Sequence, residues 1–221
     1  MARPRTHDQA LKLRLLDEAG RLLVAEGPAG LTVRRLAELS GTSASAVYSL
    51  FGDKWGLVEA MFNEGFRRLS QRFAELRPTS DPAADLLALG QAFRAGALAN
   101  PHLYDLMFGC PFPEFHPAEP NATAALGTFT ALVAGVQRCL DAGLLGGGDA
   151  MQLALFLFGQ VHGLTGLELN GWLGPREQAD RLWDLAMRVT FEGLRAEAPG
   201  SRASRPQRRG ERVGRRTARR P

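Results

Sequence analysis

Apolar residues along most of the chain recur at helical spacing, and the alternation expected of strands is almost absent. Between Asp8 and Glu26, residues Leu15, Leu16, Ala19, Leu22 and Leu23 fall at i, i+1, i+4, i+7 and i+8. That single apolar stripe predicts an amphipathic helix. Gly27-Pro28 and Gly30 should stop it. A second helix is expected from Thr32, whose hydroxyl can cap the free N–H groups of the first turn, with Leu31 and Leu36 spaced for a hydrophobic staple. Val33, Leu36 and Ala37 would face inward, and Arg34 and Arg35 outward. Ser40-Gly41-Thr42 reads as a tight turn, with Gly41 suited to a left-handed cap. Ser43 can cap a third helix running to about Phe51. Asp53 can cap a long fourth helix running through about Leu76.

Arg77-Pro-Thr-Ser-Asp-Pro82 reads as a domain junction, and beyond it the spacing predicts helices near 82–99, 101–109, 121–142, 149–171 and 175–196. Pro82, Pro101 and Pro175 are expected at first helical positions, where a missing N–H costs nothing. The stretch 110–120 holds Pro111, Pro113, Pro117 and Pro120 and cannot be regular helix. Leu153 to Gly159 is apolar on all sides, which implies a helix covered on several faces. The expected fold is all-α: an N-terminal head (9–69, with two short helices joined by a turn at 32–51), a C-terminal helical domain (82–197), and a disordered Arg-rich tail (198–221).

The third helix carries the functional signal. Val47, Leu50 and Phe51 share one face and should bury, while Ala44, Ser45, Tyr48 and Ser49 lie on the other. That outer face is small and polar apart from one tyrosine, so it can approach a groove closely, and the major groove of B-DNA admits an α-helix. Two short helices joined by a glycine turn after a longer one are the parts of a helix-turn-helix.

The run Leu31-Thr32, Val33-Arg34-Arg35-Leu36-Ala37-Glu38, Gly41-Thr42-Ser43, Ala46-Val47-Tyr48, Phe51, Gly52-Asp53-Lys54 and Leu57 resembles the signature of the TetR/AcrR family of transcriptional regulators. The resemblance covers about residues 9–69. It implies a three-helix DNA-binding head with its helix-turn-helix at 32–51 and a C-terminal domain for dimerisation and ligand binding. It implies a homodimeric repressor that holds palindromic double-stranded DNA until a small, mostly apolar effector releases it; an effector-independent regulator or an activator stays open beside that reading. It implies phosphate and base contacts for Thr32 and Arg34, and a reading surface of Ser43, Ala44, Ser45, Tyr48 and Ser49. It also implies a backbone clamp at Lys54, where a helix N-terminus adds to the ammonium charge. Arg3 and Arg5 could form an arm along the groove. Many members have His where this chain has Leu50, and a smaller residue where it has Ser45, so the preferred site is not legible. Thr32 and Ser43 can also be plain caps, and Arg34 and Arg35 plain solvated charges.

Charge sharpens the division. Of a net +4, residues 1–54 contribute +2, residues 55–197 contribute −6 and residues 198–221 contribute +8. Only the ends favour a polyanion, and the tail by itself could support nonspecific nucleic-acid binding. No apolar run approaches the roughly 18–20 residues of a membrane span, and no export signal is evident. Cys110 and Cys139 therefore read as reduced thiols and the chain as cytoplasmic. There is no Gly-rich phosphate loop, nucleophile elbow or metal-spaced His pair. Glu114, His116 and Glu119 lack ligand spacing, so neither an enzyme, a cofactor nor a metal is expected.

In the C-terminal half, Phe158-Gly-Gln-Val-His-Gly-Leu164 resembles the Trp-His-Gly type of domain in part of the family, with Phe158 in place of Trp. Leu153, Phe156, Leu164, Leu182, Leu185 and Val189 are expected to form a two-fold interface. Phe93, Tyr104, Met107, Phe108, Phe129 and Val136 supply more apolar and aromatic surface than helix packing needs, which points to an effector pocket, with a dry packed core as the alternative. His162 could line it or sit satisfied in the core. Phe112 and Phe115 in the proline stretch could form a lid.

Overall fold

The computed structural model describes residues 5–116 and 119–195. Arg3 and the tail 198–221 lie outside the described residues. Nine α-helices are seen among those described: α1 (Arg5–Gly30), α2 (Val33–Leu39), α3 (Ala44–Phe51), α4 (Lys54–Glu75), α5 (Pro82–Ala99), α6 (Pro101–Phe108), α7 (Glu119–Asp141), α8 (Ala150–Leu169) and α9 (Arg176–Leu194).

The turn chemistry fixes the first four. Gly27 takes φ 70 and breaks α1, which then continues for one turn through Pro28 to Gly30, beyond the expected stop. Thr32 Oγ1 accepts from the Arg35 N–H at 3.2 Å, and Ser43 Oγ from Ala46 N–H at 3.1 Å. Asp53 Oδ1 accepts from Gly56 N–H at 2.8 Å. Each cap satisfies a donor that the helix itself cannot. Gly41 supplies a positive φ of 62 between α2 and α3.

Elsewhere the helix ends differ in detail from expectation. Pro175 is the N-cap of α9 rather than its first helical residue. α7 begins at Glu119, so Pro120 lies in its first turn, where proline is tolerated. α8 is both long and apolar enough, at mean hydropathy 1.2, to cross a membrane by length and composition, contrary to the sequence reading. It is packed instead against α5 and α7.

Among the described residues two large apolar cores result, with a third, small cluster of Leu173, Ala179 and Trp183. The first joins the stripe of α1 (Leu15, Leu16, Ala19, Leu22, Leu23) to α2, α3 and the N-terminal half of α4. Leu103 and Leu106 of α6 and Phe112 of the following loop also enter it. The second joins α5, α7, α8 and the end of α9 around Val136, Cys139 and Ala154. Between them lies a polar joint. Glu64 of α4 is 6% exposed and receives Arg67 and Arg68, and Arg68 reaches on to Asp17 of α1 and Asn100 before α6, at 2.7 Å each. Burial alone would raise the Glu64 carboxyl, but the two guanidinium hydrogen bonds outweigh it and hold it below the usual range. Arg94 of α5 likewise ties α8 and α9, through Glu168 and Asp180 at 2.7 Å, and lies over the Trp183 ring.

Candidate DNA-reading face and ligand cavity

α2 and α3 place the expected reading residues at one end of the molecule. Thr32, Arg34, Ser43, Ser45, Tyr48 and Ser49 are all exposed, with Tyr48 at 53%. Val47 is fully buried and Phe51 nearly so, which locks α3 with its polar side outward. Two residues differ from the expected picture. Ala44 is half-buried and packs partly against the core, as Leu50 does. Arg35 is an ion-pairing residue: it bonds Glu26 at 2.8 Å, which raises its pKa, whereas Arg34 has no ion pair among the described residues.

Lys54 sits at the start of α4, as expected, but its ammonium already has partners. Nζ donates to the Pro28 carbonyl at 2.8 Å and lies 5.4 Å from the centre of the Phe112 ring. It thus braces the break at Gly27 within α1, with two of its three donors left over. Phe112 also meets Trp55 edge-on at 6.0 Å, and Phe115 meets Phe62 at 5.7 Å. The loop after α6 is therefore seated on the N-terminal half of α4. This corrects the expected lid: Phe112 and Phe115 pack against the head, and neither lines the apolar cavity among the helices. The neighbouring group Glu114 and His116 borders an open surface hollow with Asp53 and Glu59.

The cavity lies further along α4. It measures about 210 Å³, is partly open, and is bordered by α4, α5, α7, α8 and α9, with the α6 residue Phe108 adding to the wall. Among the described residues, Thr128 is the one polar side chain on that wall. Of the expected ligand residues, Phe93, Phe108 and Phe129 line it. Tyr104 and Met107 instead line a smaller side pocket of about 30 Å³ between α4, α5 and α6. Val136 is fully buried in the second core and does not reach the wall, so that expectation is corrected. His162 stands one layer back. Its Nδ1 is 2.9 Å from the Tyr104 hydroxyl, and its ring stacks on Tyr104 and leans on Phe158. Burial lowers the His162 pKa and pushes Tyr104 up to about 12, so a neutral pair is favoured. Sequence reasoning missed Phe66, Leu69 and Phe73 of α4, Phe158 and Val161 of α8, and Met187 and Phe191 of α9. The cavity aromatics are interlocked, with Phe93, Phe108 and Phe158 about 6 Å apart in each pairing.

Residues 15–61 match the family described as bacterial regulatory proteins, tetR family, and residues 86–190 match the tetracyclin repressor-like C-terminal domain. The chain belongs to the TetR family. Its relatives include the HTH-type transcriptional regulator Rv1816 of Mycobacterium tuberculosis, 28% identical over 139 residues. That match spans 58% of this chain and 58% of the relative. A protein of unknown function from Rhodococcus sp. RHA1 has a similar structure. It is 30% identical, with TM-score 0.68, over 83% of this chain and 95% of that one. The TetR-family regulator PfmR from Thermus thermophilus, 18% identical, shares the fold at TM-score 0.68 over 82% of this chain and 98% of its own. The TetR family is one of helix-turn-helix transcriptional regulators rather than enzymes, in keeping with the sequence reading.

On the side away from the cavity, this TetR-family chain exposes Met151, Leu155, Phe156 and Leu167 of α8. Leu182, Leu185 and Val189 of α9 and Trp172 between the helices are exposed too, Trp172 at 79%. Leu153, expected among the interface residues, is buried in the chain's own core, and Leu164 is half-buried beside Trp183.

Proposed function

We propose that this TetR-family chain is a homodimeric repressor that holds a palindromic duplex site and releases it when a small, mostly apolar molecule fills the cavity. The observation that carries the reading is the continuity of α4. Its first residue, Lys54, stands beside the reading helices, and its Phe66, Leu69 and Phe73 form part of the cavity wall. A 22-residue helix is about 33 Å long and rigid, so a displacement at one end must be expressed at the other. The loop carrying Phe112 and Phe115 offers a second link, because it joins α6 to α7 and presses on the start of α4.

The exposed apolar face of α8 and α9 is the surface a second copy would cover, as two helices from each chain. Two-fold pairing would set two α3 helices roughly 34 Å apart on successive major grooves. Thr32, Arg34, Ser43, Ser45, Tyr48 and Ser49, with Ala44 partly buried beneath them, would then meet phosphates and base edges. Lys54 would hold a phosphate with the donors that Pro28 leaves free. Such work on duplex DNA would be done in the cytoplasm.

A ligand shifts the DNA-bound equilibrium only by the difference in its affinity for the two dimer shapes, and the coupling is reciprocal. The test is to select preferred sites from a random duplex pool, then titrate any compound that raises the melting temperature with and without the selected site. Weaker ligand binding in the presence of the site is the expected result. Equal affinity in both titrations would refute release by that compound, and failure to enrich any palindrome would refute the reading as a whole.

A further inference from the structure

The main cavity suits hydrocarbon, and beside it lies a group that does not. Leu69, Phe93 and Phe108 line both the cavity and the side pocket, so these three side chains are the partition between them. The side pocket also presents Arg68, Arg72, Asn100 and Tyr104. Three of those four polar groups are already engaged. Arg68 bonds Glu64, Asp17 and Asn100; Asn100 also donates to the Gly96 carbonyl; and the Tyr104 hydroxyl bonds His162. Arg72 has no ion pair among the described residues. Its aliphatic stem lies close against α5, where a Cβ on Gly96 would come within 3.3 Å of Arg72 Cδ. An arginine in the last turn of α4 would complement the helix C-terminus equally well if turned to water. Here it borders a pocket instead.

We infer that the ligand is an amphipathic carboxylate, its hydrocarbon in the main cavity and its anionic head in the side pocket against Arg72. This rests on the effector reading above and narrows it to a chemical class. The sizes agree. An apolar cavity of about 150 Å³ admits benzene, so by proportion 210 Å³ takes a hydrocarbon of about eight or nine carbons. A site of 10–15 Å³ holds one water, so 30 Å³ suits the two oxygens of a carboxylate and not a bulkier head. A guanidinium offers that planar group two parallel donors, and such charge-assisted bidentate bonds are among the stronger ones. The head passes between Leu69, Phe93 and Phe108, whose rearrangement would bear directly on α4, α5 and α6.

The experiment uses the full-length dimer, with decanoate, decanol and naphthalene as probes, measured by calorimetric titration near neutral pH. Decanoate is expected to bind about tenfold or more tightly than decanol. Arg72→Gln should bring that ratio to about one, and Arg72→Lys should restore part of it. Decanol binding as tightly as decanoate, or an unchanged ratio in Arg72→Gln, overturns the inference while leaving an apolar effector in place. Naphthalene binding without either alkyl probe does the same. No binding of any of the three to the wild-type protein overturns the cavity reading as well. Should Arg72→Gln fail to fold, as judged by circular dichroism, the wild-type ratio alone decides.

Discussion

Replacing Gly20 by alanine should destabilise this protein even though alanine is the better helix former. Gly20 lies inside α1, where glycine costs about 1 kcal/mol relative to alanine. The space its side chain would need is filled by the His102 ring at the start of α6, whose Cγ would stand 2.7 Å from the new Cβ. The neighbouring ring atoms would be closer still, so the whole ring must turn away rather than one flexible tip. Overpacking of this kind costs about 1–3 kcal/mol, which leaves a net loss near 1 kcal/mol after the propensity gain. In a His102→Ala background the obstruction is gone, and the same Gly20→Ala change should stabilise by about 0.5–1 kcal/mol. The sign of the effect therefore reverses between backgrounds. The assay is urea unfolding of the four proteins at one fixed concentration, since the proposed dimer would make stability concentration-dependent. If Gly20→Ala stabilised both backgrounds equally, the contact between α1 and α6 would not exist as described.

Three further outcomes are expected. Arg34→Ala should change which duplexes are preferred. Lys54→Ala should weaken all duplexes about equally and also lower stability by about 1 kcal/mol, because the Pro28 carbonyl and the Phe112 ring lose their partner; competition gel shifts and thermal melts separate the two effects. Leu185→Glu with Val189→Glu should give a folded monomer by sedimentation that no longer binds its site tightly, and a tight dimer would show that the exposed face of α8 and α9 is not the interface. The pH dependence follows from His102 and His162, both held below the ordinary 6.5, chiefly by burial. The unfolded chain then takes up protons first, so stability is full above about pH 6.5 and falls as pH drops toward the folded-state values; His102→Ala should flatten that fall in melts recorded from about pH 7.5 to about pH 5.

The reading head was legible because its signals are local. Thr32, Ser43 and Asp53 announce helix starts through hydrogen bonds made within three residues, and Gly41 announces the turn by its positive φ. Periodicity also found the buried stripe of α1. The cavity was only partly legible because a periodic pattern shows that a helix has an apolar face, not whether that face meets atoms or space. Phe93, Phe108 and Phe129 stood out as surplus aromatics, but Phe66 and Phe73 read as ordinary residues of a DNA-domain helix. Val136 shows the converse error, an apolar residue whose neighbours close completely around it. Phe112 and Phe115 lie on a segment without period, so nothing local could tell which core would receive them. Lys54 was found by its motif position, whereas its bond to Pro28 depends on the path of the chain after the break at Gly27.

Because α4 supplies both the Lys54 brace beside the reading helices and three residues of the cavity wall, the chain does not divide into interchangeable halves at the proline-containing segment 77–82. A hybrid that took its first 80 residues from here and its remainder from another regulator would import Phe66, Leu69 and Phe73 into a foreign chamber. Such a hybrid should recognise this chain's operator yet respond to the donor's inducer poorly or not at all. On the proposed reading, a working exchange of ligand-binding modules would be cut inside α4, between the Glu64 joint and Lys54, so that each chamber keeps its own wall and each head keeps its own brace.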